Sequence, residues 1–239
     1  MTAILLNSGK GSRLHNLTKD NPKCLVELDQ DVTILSRQLD LLSACGVTEY
    51  IITTGYLASS IEEYIASRFP DLSVQFVYNE VFDTTNYIVS LDKLSEIPFT
   101  DDVLLMHGDL VFSKPVLTSV IASEGSTVVV DSTLALPEKD FKARIDKGLV
   151  AVIGIHEFGP DCFACQPLYK LTKSDWSVWQ EAIHSFCEAG KTNVYAEDAL
   201  NTITDTVHIN PLDVRGKLCM EVDNQEDLMR AKNLLKKEI

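Results

Sequence analysis

The chain has 239 residues, with 35 acidic and 21 basic side chains and a formal net charge of −14. That length suits one well-buried domain, and 45% apolar with 23% charged residues excludes wholesale disorder. No apolar run approaches the ~18 residues that span a bilayer, the N-terminus lacks the basic segment of a secretory leader, and so acidic a chain lacks the basic surface of a general nucleic-acid binder.

Ala3–Asn7 is a short apolar run entering Ser8-Gly9-Lys10-Gly11, which predicts a buried strand followed by a glycine turn. Ile34–Cys45 carries apolar residues at helical spacing and stops at Gly46. A strand over Tyr50–Thr53, a helix over Ile61–Phe69, a strand over Val74–Tyr78 and a helix over Tyr87–Leu94 follow. Val103–Met106 is a strand ending at His107-Gly108-Asp109; a helix near Val116–Ala122 and a strand over Thr127–Val130 continue the alternation. This rhythm describes an α/β domain with a largely parallel sheet and ligands at the strands' C-terminal ends. From about Asp140 three closely spaced strands (Lys142–Ile145, Leu149–Ile155, Phe163–Lys170) read as a small antiparallel insert. Helices near Ser174–Ala189 and Glu197–Ile203, a strand Leu218–Val222 and a helix Gln225–Lys237 complete the chain. No repeat or linker divides it, so 1–239 is read as one domain: 1–135 mainly for a nucleotide, 136–215 mainly for an acceptor, and 216–239 for a metal strand and terminal helix.

The charge is uneven. Residues 1–23 hold Lys10, Arg13, Lys19 and Lys23 against Asp20 alone, a net +3, which leaves −17 for the other 216. A cationic head on an acidic chain points to an anionic ligand there. The six cysteines (Cys24, Cys45, Cys162, Cys165, Cys187, Cys219) show no framework spacing. Cys162-Phe-Ala-Cys165 is a single C-x-x-C whose thiols face opposite sides of a strand, so it is read as buried apolar cysteine rather than a metal or redox site. Free thiols imply a reducing cytoplasm. Trp176 and Trp179, at i and i+3, are read as core, and the five histidines show no ligand spacing.

The glycine turn is neither a P-loop nor a dinucleotide fingerprint: no Lys-Ser/Thr follows a second glycine, and Leu14 stands where the third glycine belongs. What remains is backbone able to approach phosphates, followed by Arg13 and, after Pro22, Lys23. Ser8-Gly9-Lys10-Gly11-Ser12-Arg13-Leu14, then Leu17-Thr18, then Pro22-Lys23-Cys24-Leu25-Val26-Glu27, resembles the sugar-nucleotidyltransferase superfamily, in the version of bacterial cytidylyltransferases that activate phosphocholine or small phosphonates. The likeness extends through Thr54-Gly55-Tyr56, Tyr78-Asn79, Thr84-Thr85-Asn86-Tyr87, Gly108-Asp109-Leu110, Lys139-Asp140-Phe141-Lys142-Ala143, Tyr195-Ala196-Glu197-Asp198-Ala199 and Glu221-Val222-Asp223. Asn7 departs from the usual Ala, and Ile155 sits where many sugar-type members carry a Lys.

The resemblance implies a Rossmann-like three-layer sandwich with a mixed, mainly parallel central sheet. It implies transfer of CMP from CTP to a small anionic acceptor, with Mg²⁺ as cofactor. Asn7, Ser8, Gly9, Lys10, Gly11, Ser12, Arg13, Lys23, Tyr56, Asn79, Thr85, Asn86 and Gly108 are the nucleotide-binding candidates, Arg13 and Lys23 the catalytic ones. Asp109 and Asp223 are the metal candidates, with Glu221 in reserve. Asp131, Lys142, Tyr169, Glu197 and Asp198 are the acceptor candidates. Two residues have a competing local role: Asp223-x-x-Glu226 also fits a helix capping box, and Asn86 also fits a helix start. The alternatives to a cytidylyltransferase are a sugar-1-phosphate nucleotidyltransferase using UTP or dTTP, and a nucleotide-binding module without turnover.

Overall fold

The organising strand is β1 (Thr2–Asn7), buried on both faces, and a computed structural model describes residues 1–237 around it. Its alternation supplies two cores: Ala3 and Leu5 point into one hydrophobic cluster and Ile4 into the other. After a hairpin of β2 (Glu27–Asp29) and β3 (Val32–Thr33) come α1 (Ile34–Ala44), β4 (Glu49–Thr54), α2 (Ala58–Arg68) and β5 (Val74–Tyr78). Then follow α3 (Tyr87–Asp92), β6 (Val103–His107), β7 (Leu110–Phe112), α4 (Lys114–Ala122) and β8 (Ser126–Asp131). The second half contains β9 (Lys142–Asp146), β10 (Leu149–Gly154), β11 (Cys162–Leu171), α5 (Lys173–Glu188), α6 (Ala196–Leu200), β12 (Ile209–Asp213), β13 (Cys219–Glu221) and α7 (Gln225–Leu235).

β1 lies between β4 and β6, parallel to both, and β5 extends the sheet beyond β4. Helices α1, α2 and α4 cover one face through Leu35, Leu39, Ile61, Ile65, Val116 and Val120. Helices α3, α5 and α6 cover the other through Ile88, Leu91, Trp176, Trp179, Ile183 and Leu200. The result is the expected α/β sandwich with a mixed, mainly parallel sheet. The antiparallel strands of the second half are part of that sheet: ten-residue β11 pairs with β6, β8 and β9, so the insert is continuous with the core. The strand expected over Leu218–Val222 is shorter and leaves the main sheet to pair antiparallel with β7.

Local chemistry sets the helix starts. Thr33 Oγ1 accepts from Ser36 N at 3.0 Å while Ser36 Oγ accepts from Thr33 N at 2.9 Å, closing a capping box on α1. Before α7 the cap is Asn224, whose Oδ1 accepts from Asp227 N and whose own N–H donates to Asp227 Oδ2. The capping box sits one residue later than the Asp223–Glu226 spacing indicated, and the Asp223 carboxylate is left for other work.

Trp176 and Trp179 are fully buried, as their spacing predicts. Trp179 Nε1 donates to Ala196 O at 3.0 Å, whereas the Trp176 indole N–H is buried without a partner. Trp179→Phe is therefore expected to cost about 1 kcal/mol more stability than Trp176→Phe, since only the former loses a hydrogen bond. Urea unfolding of the two variants measures the difference.

Candidate functional site

The C-terminal ends of β1, β4 and β6 open into a cleft of about 620 Å³, large enough for a nucleotide-sized ligand. One wall is the glycine turn. Gly11 adopts φ +61°, and a Cβ there would stand 2.8 Å from Lys23 Cβ, so the turn packs directly on the lysine stem. This contact aims Lys23 into the cleft from the short turn Lys23–Leu25.

Lys23 Nζ donates to Asp109 Oδ2 and, at 2.6 Å, to Asp223 Oδ1; Arg13 Nη1 donates to Asp223 Oδ2 at 2.6 Å. Asp109 sits in the turn between β6 and β7, and Asp223 just past β13. The β7–β13 pairing and the Val222 N–H on Asp109 O (3.0 Å) bring the two turns together. Burial works against the Lys23 charge, but Asp109 and Asp223 outweigh it and raise the ammonium above its ordinary value. Burial likewise works against the Asp109 carboxylate, which Lys23 and His107 hold below the usual range. Asp109 Oδ1 is buried without a donor.

The structure adds a residue that spacing missed. His107 Nδ1 lies 2.9 Å from Glu221 Oε1, and His107, Asp109 and Glu221 offer ligand atoms all within 4.8 Å of one another. Among the described residues this is the group that meets the distance requirement of a metal site; Asp223 stands apart from it, tied to Lys23 and Arg13. Burial lowers and Glu221 raises the His107 imidazolium, and the net shift is upward. Burial, reinforced by Asp109, pushes Glu221 up. The only sequence signal was adjacency: His107 is the last residue of β6, two before Asp109.

Of the nucleotide-binding candidates, Asn7, Ser8, Gly9, Gly11, Ser12, Asn79, Thr85, Asn86 and Gly108 line the cleft, along with Arg13 and Lys23. Asn86 also caps α3, accepting from Tyr87 N at 2.7 Å, which is its helix-start reading. Lys10 and Tyr56 lie outside the lining. Lys10 is 3.9 Å from Asp83 and stacks over Phe82, and Tyr56 donates its hydroxyl to Lys19 O.

None of the five acceptor candidates lines the cleft. The Asp131 carboxylate is consumed by Thr133 and by Gly216 N (2.9 Å). Lys142 Nζ donates to Pro137 O (2.7 Å) and Ile155 O (2.5 Å), tying together two segments that border the cleft. Glu197 is buried and accepts from the hydroxyls of Tyr169 (2.8 Å) and Tyr87, so Tyr169 and Glu197 stand one layer behind the lining residue Tyr87. Asp198 accepts from Tyr195 N at the start of α6. In their place the wall carries Tyr87, Phe141 and Tyr195 with Lys139, Asp140 and Ile155. Cys162 and Cys165 are buried free thiols.

Residues 3–153 match the model of the MobA-like NTP transferase domain. CTP:phosphoglutamine cytidylyltransferase of Campylobacter jejuni is 31% identical over 139 residues, covering 56% of this chain and 53% of that protein. CMP-5'-(3-aminopropyl)phosphonate synthase of Streptomyces rubellomurinus is 29% identical over 144 residues, covering 60% of this chain and 23% of that protein. The chain thus matches about half, or less, of the length of these curated relatives. Sugar-1-phosphate nucleotidyltransferases also occur among the relatives, with 23% identity over 219 residues in one case. Among solved structures, CTP:phosphocholine cytidylyltransferase from Streptococcus pneumoniae superposes with a TM-score of 0.79 at 19% identity, covering 98% of each chain.

Gly108 tests how tightly the cleft floor is built. A Cβ there would stand 1.8 Å from Asn7 Oδ1 and 2.6 Å from Leu6 O, whereas one on Gly9 meets nothing within 4 Å. Gly108→Ala is expected to destabilise the fold by about 1–3 kcal/mol, and Gly9→Ala to leave it nearly unchanged. Equilibrium denaturation of both variants checks this.

Proposed function

The chain belongs to the MobA-like NTP transferase domain family, and from that premise we propose that it transfers CMP from CTP to a small phosphate or phosphonate acceptor with release of pyrophosphate. The observation that carries this reading is the charge cluster of Lys23, Arg13, Asp109 and Asp223 beside a glycine turn at the strand ends. The cytidylyl specificity is supported by the names of the two relatives, and a phosphate or phosphonate acceptor by the same names. Ile155 on the cleft wall, where many sugar-type members carry a Lys, weighs against a sugar-1-phosphate.

In the proposed reaction an acceptor oxygen attacks the α-phosphorus of CTP. The new P–O bond forms as the bond to the bridging oxygen of the β-phosphate breaks, and pyrophosphate leaves with that electron pair. The acceptor's phosphate oxygens have a second pKa near ~6 and are largely ionised at neutral pH, so no general base is required. The work is to hold two anions in line and to offset their repulsion. Lys23 and Arg13 supply positive charge to the α-phosphate and the leaving group. Asp109 and Asp223 would hold Mg²⁺: two carboxylates, one with a buried oxygen lacking a donor, form the oxygen set a hard cation takes. When bound, the ion neutralises triphosphate charge. Asp140, lining the same cleft, is raised by burial and by Asp223 and Asp227, so negative charge is concentrated there.

The test is a pyrophosphate-release matrix of CTP, UTP, dTTP and GTP against phosphocholine, 2-aminoethylphosphonate, hydroxyethylphosphonate and glucose-1-phosphate. Release is expected with CTP and one of the first three acceptors. Release with UTP or dTTP and glucose-1-phosphate alone would support the sugar-phosphate reading, and none in any combination would support a module without turnover. With the working pair, Lys23→Ala is expected to lower kcat about 10²–10³-fold, and Asp109→Asn or Asp223→Asn to abolish turnover with the fold retained by circular dichroism.

A further inference from the structure

A file of buried hydroxyls runs beneath the glycine turn. Asn79, just past β5, is 1% exposed, and its carboxamide is oriented by the backbone: Oδ1 accepts from Val81 N at 3.1 Å, leaving Nδ2 to donate to Ser90 Oγ at 3.0 Å. Ser90, on α3, donates to Ser8 Oγ at 3.0 Å, and Ser8 donates to Thr53 Oγ1 at 3.1 Å. Thr53 also accepts from Asn7 N at 3.3 Å. The file is polarised from Asn79 toward Thr53, and its members border the cleft.

A hydroxyl has one proton and two lone pairs. Ser8 commits its proton to Thr53 and one lone pair to Ser90, which leaves one lone pair. Ser90 and Thr53 are fully buried and Ser8 is 7% exposed, so Ser8 is the member a ligand reaches first. Its free capacity is to accept. Offering a donor instead would require its proton to leave Thr53.

Ser8 stands on the opposite side of the glycine turn from Arg13 and Lys23 in the chain. In space, Ser8 is bonded toward β4 and β5, to Thr53 and through Ser90 to Asn79. Lys23 and Arg13 are held by Asp109, past β6 on the other side of β1, and by Asp223. A nucleotide with its phosphates against those cations therefore has the β4–β5 side, lined by Ser8, Asn79 and Phe82, for its base. We infer that Ser8 Oγ reads the base as an acceptor for an exocyclic amino group, with Ser90 and Asn79 as positioning residues that hold it in that state. A 4-amino pyrimidine satisfies the lone pair; a 4-oxo pyrimidine brings a second acceptor against it, and an unpaired polar contact in a buried site discriminates strongly. The inference rests on the cleft being a CTP site, and deepens that reading by naming what separates CTP from UTP.

The test is calorimetric binding of CTP and of UTP, each with Mg²⁺ and without acceptor, to the wild-type protein, Ser8→Ala, Ser90→Ala and Ser90→Thr. The wild-type protein is expected to bind CTP more tightly than UTP. Ser8→Ala and Ser90→Ala are expected to shrink that preference about tenfold, chiefly by weakening CTP, and Ser90→Thr to restore it. A structural role for Ser90 would weaken both nucleotides alike and leave the ratio unmoved. An unchanged ratio in both alanine variants, with wild-type preference for CTP intact, overturns the inference and leaves the proposed function standing. A wild-type protein that binds UTP as tightly as CTP, or neither, overturns both.

Discussion

Lys23 is the residue on which the cleft depends. Its ammonium joins Asp109, from the end of β6, to Asp223, from the end of β13, while Arg13 takes the second oxygen of Asp223. Four charges from the head, middle and tail of the chain thus meet, three of them largely enclosed: the side chains of Lys23, Asp109 and Asp223 are 14–17% exposed, whereas Arg13, at 67%, reaches in from solvent. Removing one of the three enclosed members leaves uncompensated charge, at a typical cost of about 3–5 kcal/mol. The cluster therefore fixes the relation of the glycine turn to the strand ends, through the Gly11 contact on the lysine stem.

This arrangement resolves the apparent conflict between an acidic chain and an anionic ligand. The cations at the head of the sequence are held in place by carboxylates that a divalent ion would also bind. On the proposed reading, a metal–nucleotide complex exchanges one set of ion pairs for another: carboxylates to the ion, Lys23 and Arg13 to the phosphates. The net −14 of the whole chain is thus no guide to the charge inside the cleft, where two cations face two carboxylates.

Much of the fold was legible because β1 and β6 are built on apolar runs, β4 is rich in β-branched residues, and the helices between them carry clear periodicity and punctuation. Gly46 follows the end of α1 and the Trp176–Trp179 spacing marks a buried helix face, whereas the cap of α7 falls on Asn224, one residue past the Asp223-x-x-Glu226 spacing. Pairing partners were less legible. That β11 would enter the main sheet, and β13 leave it for β7, depends on long-range register that periodicity does not encode. The same limit divides the site. Gly11, Arg13, Lys23, Asp109 and Asp223 sit at motif positions and converge; Tyr87, Phe141 and Tyr195 also lie in motif segments, but only tertiary packing decides that they, and not their neighbours Lys142, Glu197 and Asp198, line the cleft with His107. Glu197 and Tyr169 lay close in sequence pattern to the right place but face the layer behind, because Tyr87 covers them. The hydroxyl file was invisible in the chain for the same reason: Ser8, Thr53, Asn79 and Ser90 come from four separate segments.

The central claim is that Lys23 occupies, between Asp109 and Asp223, the place a divalent cation takes with substrate. Thermal unfolding of the wild-type protein and of Lys23→Ala, each with and without millimolar Mg²⁺, tests it directly. Without the ion the variant is expected to melt well below the wild-type protein, and with it to recover most of that loss while the wild-type midpoint moves little. Equal shifts in the two proteins, or no response of the variant to Mg²⁺, would contradict it.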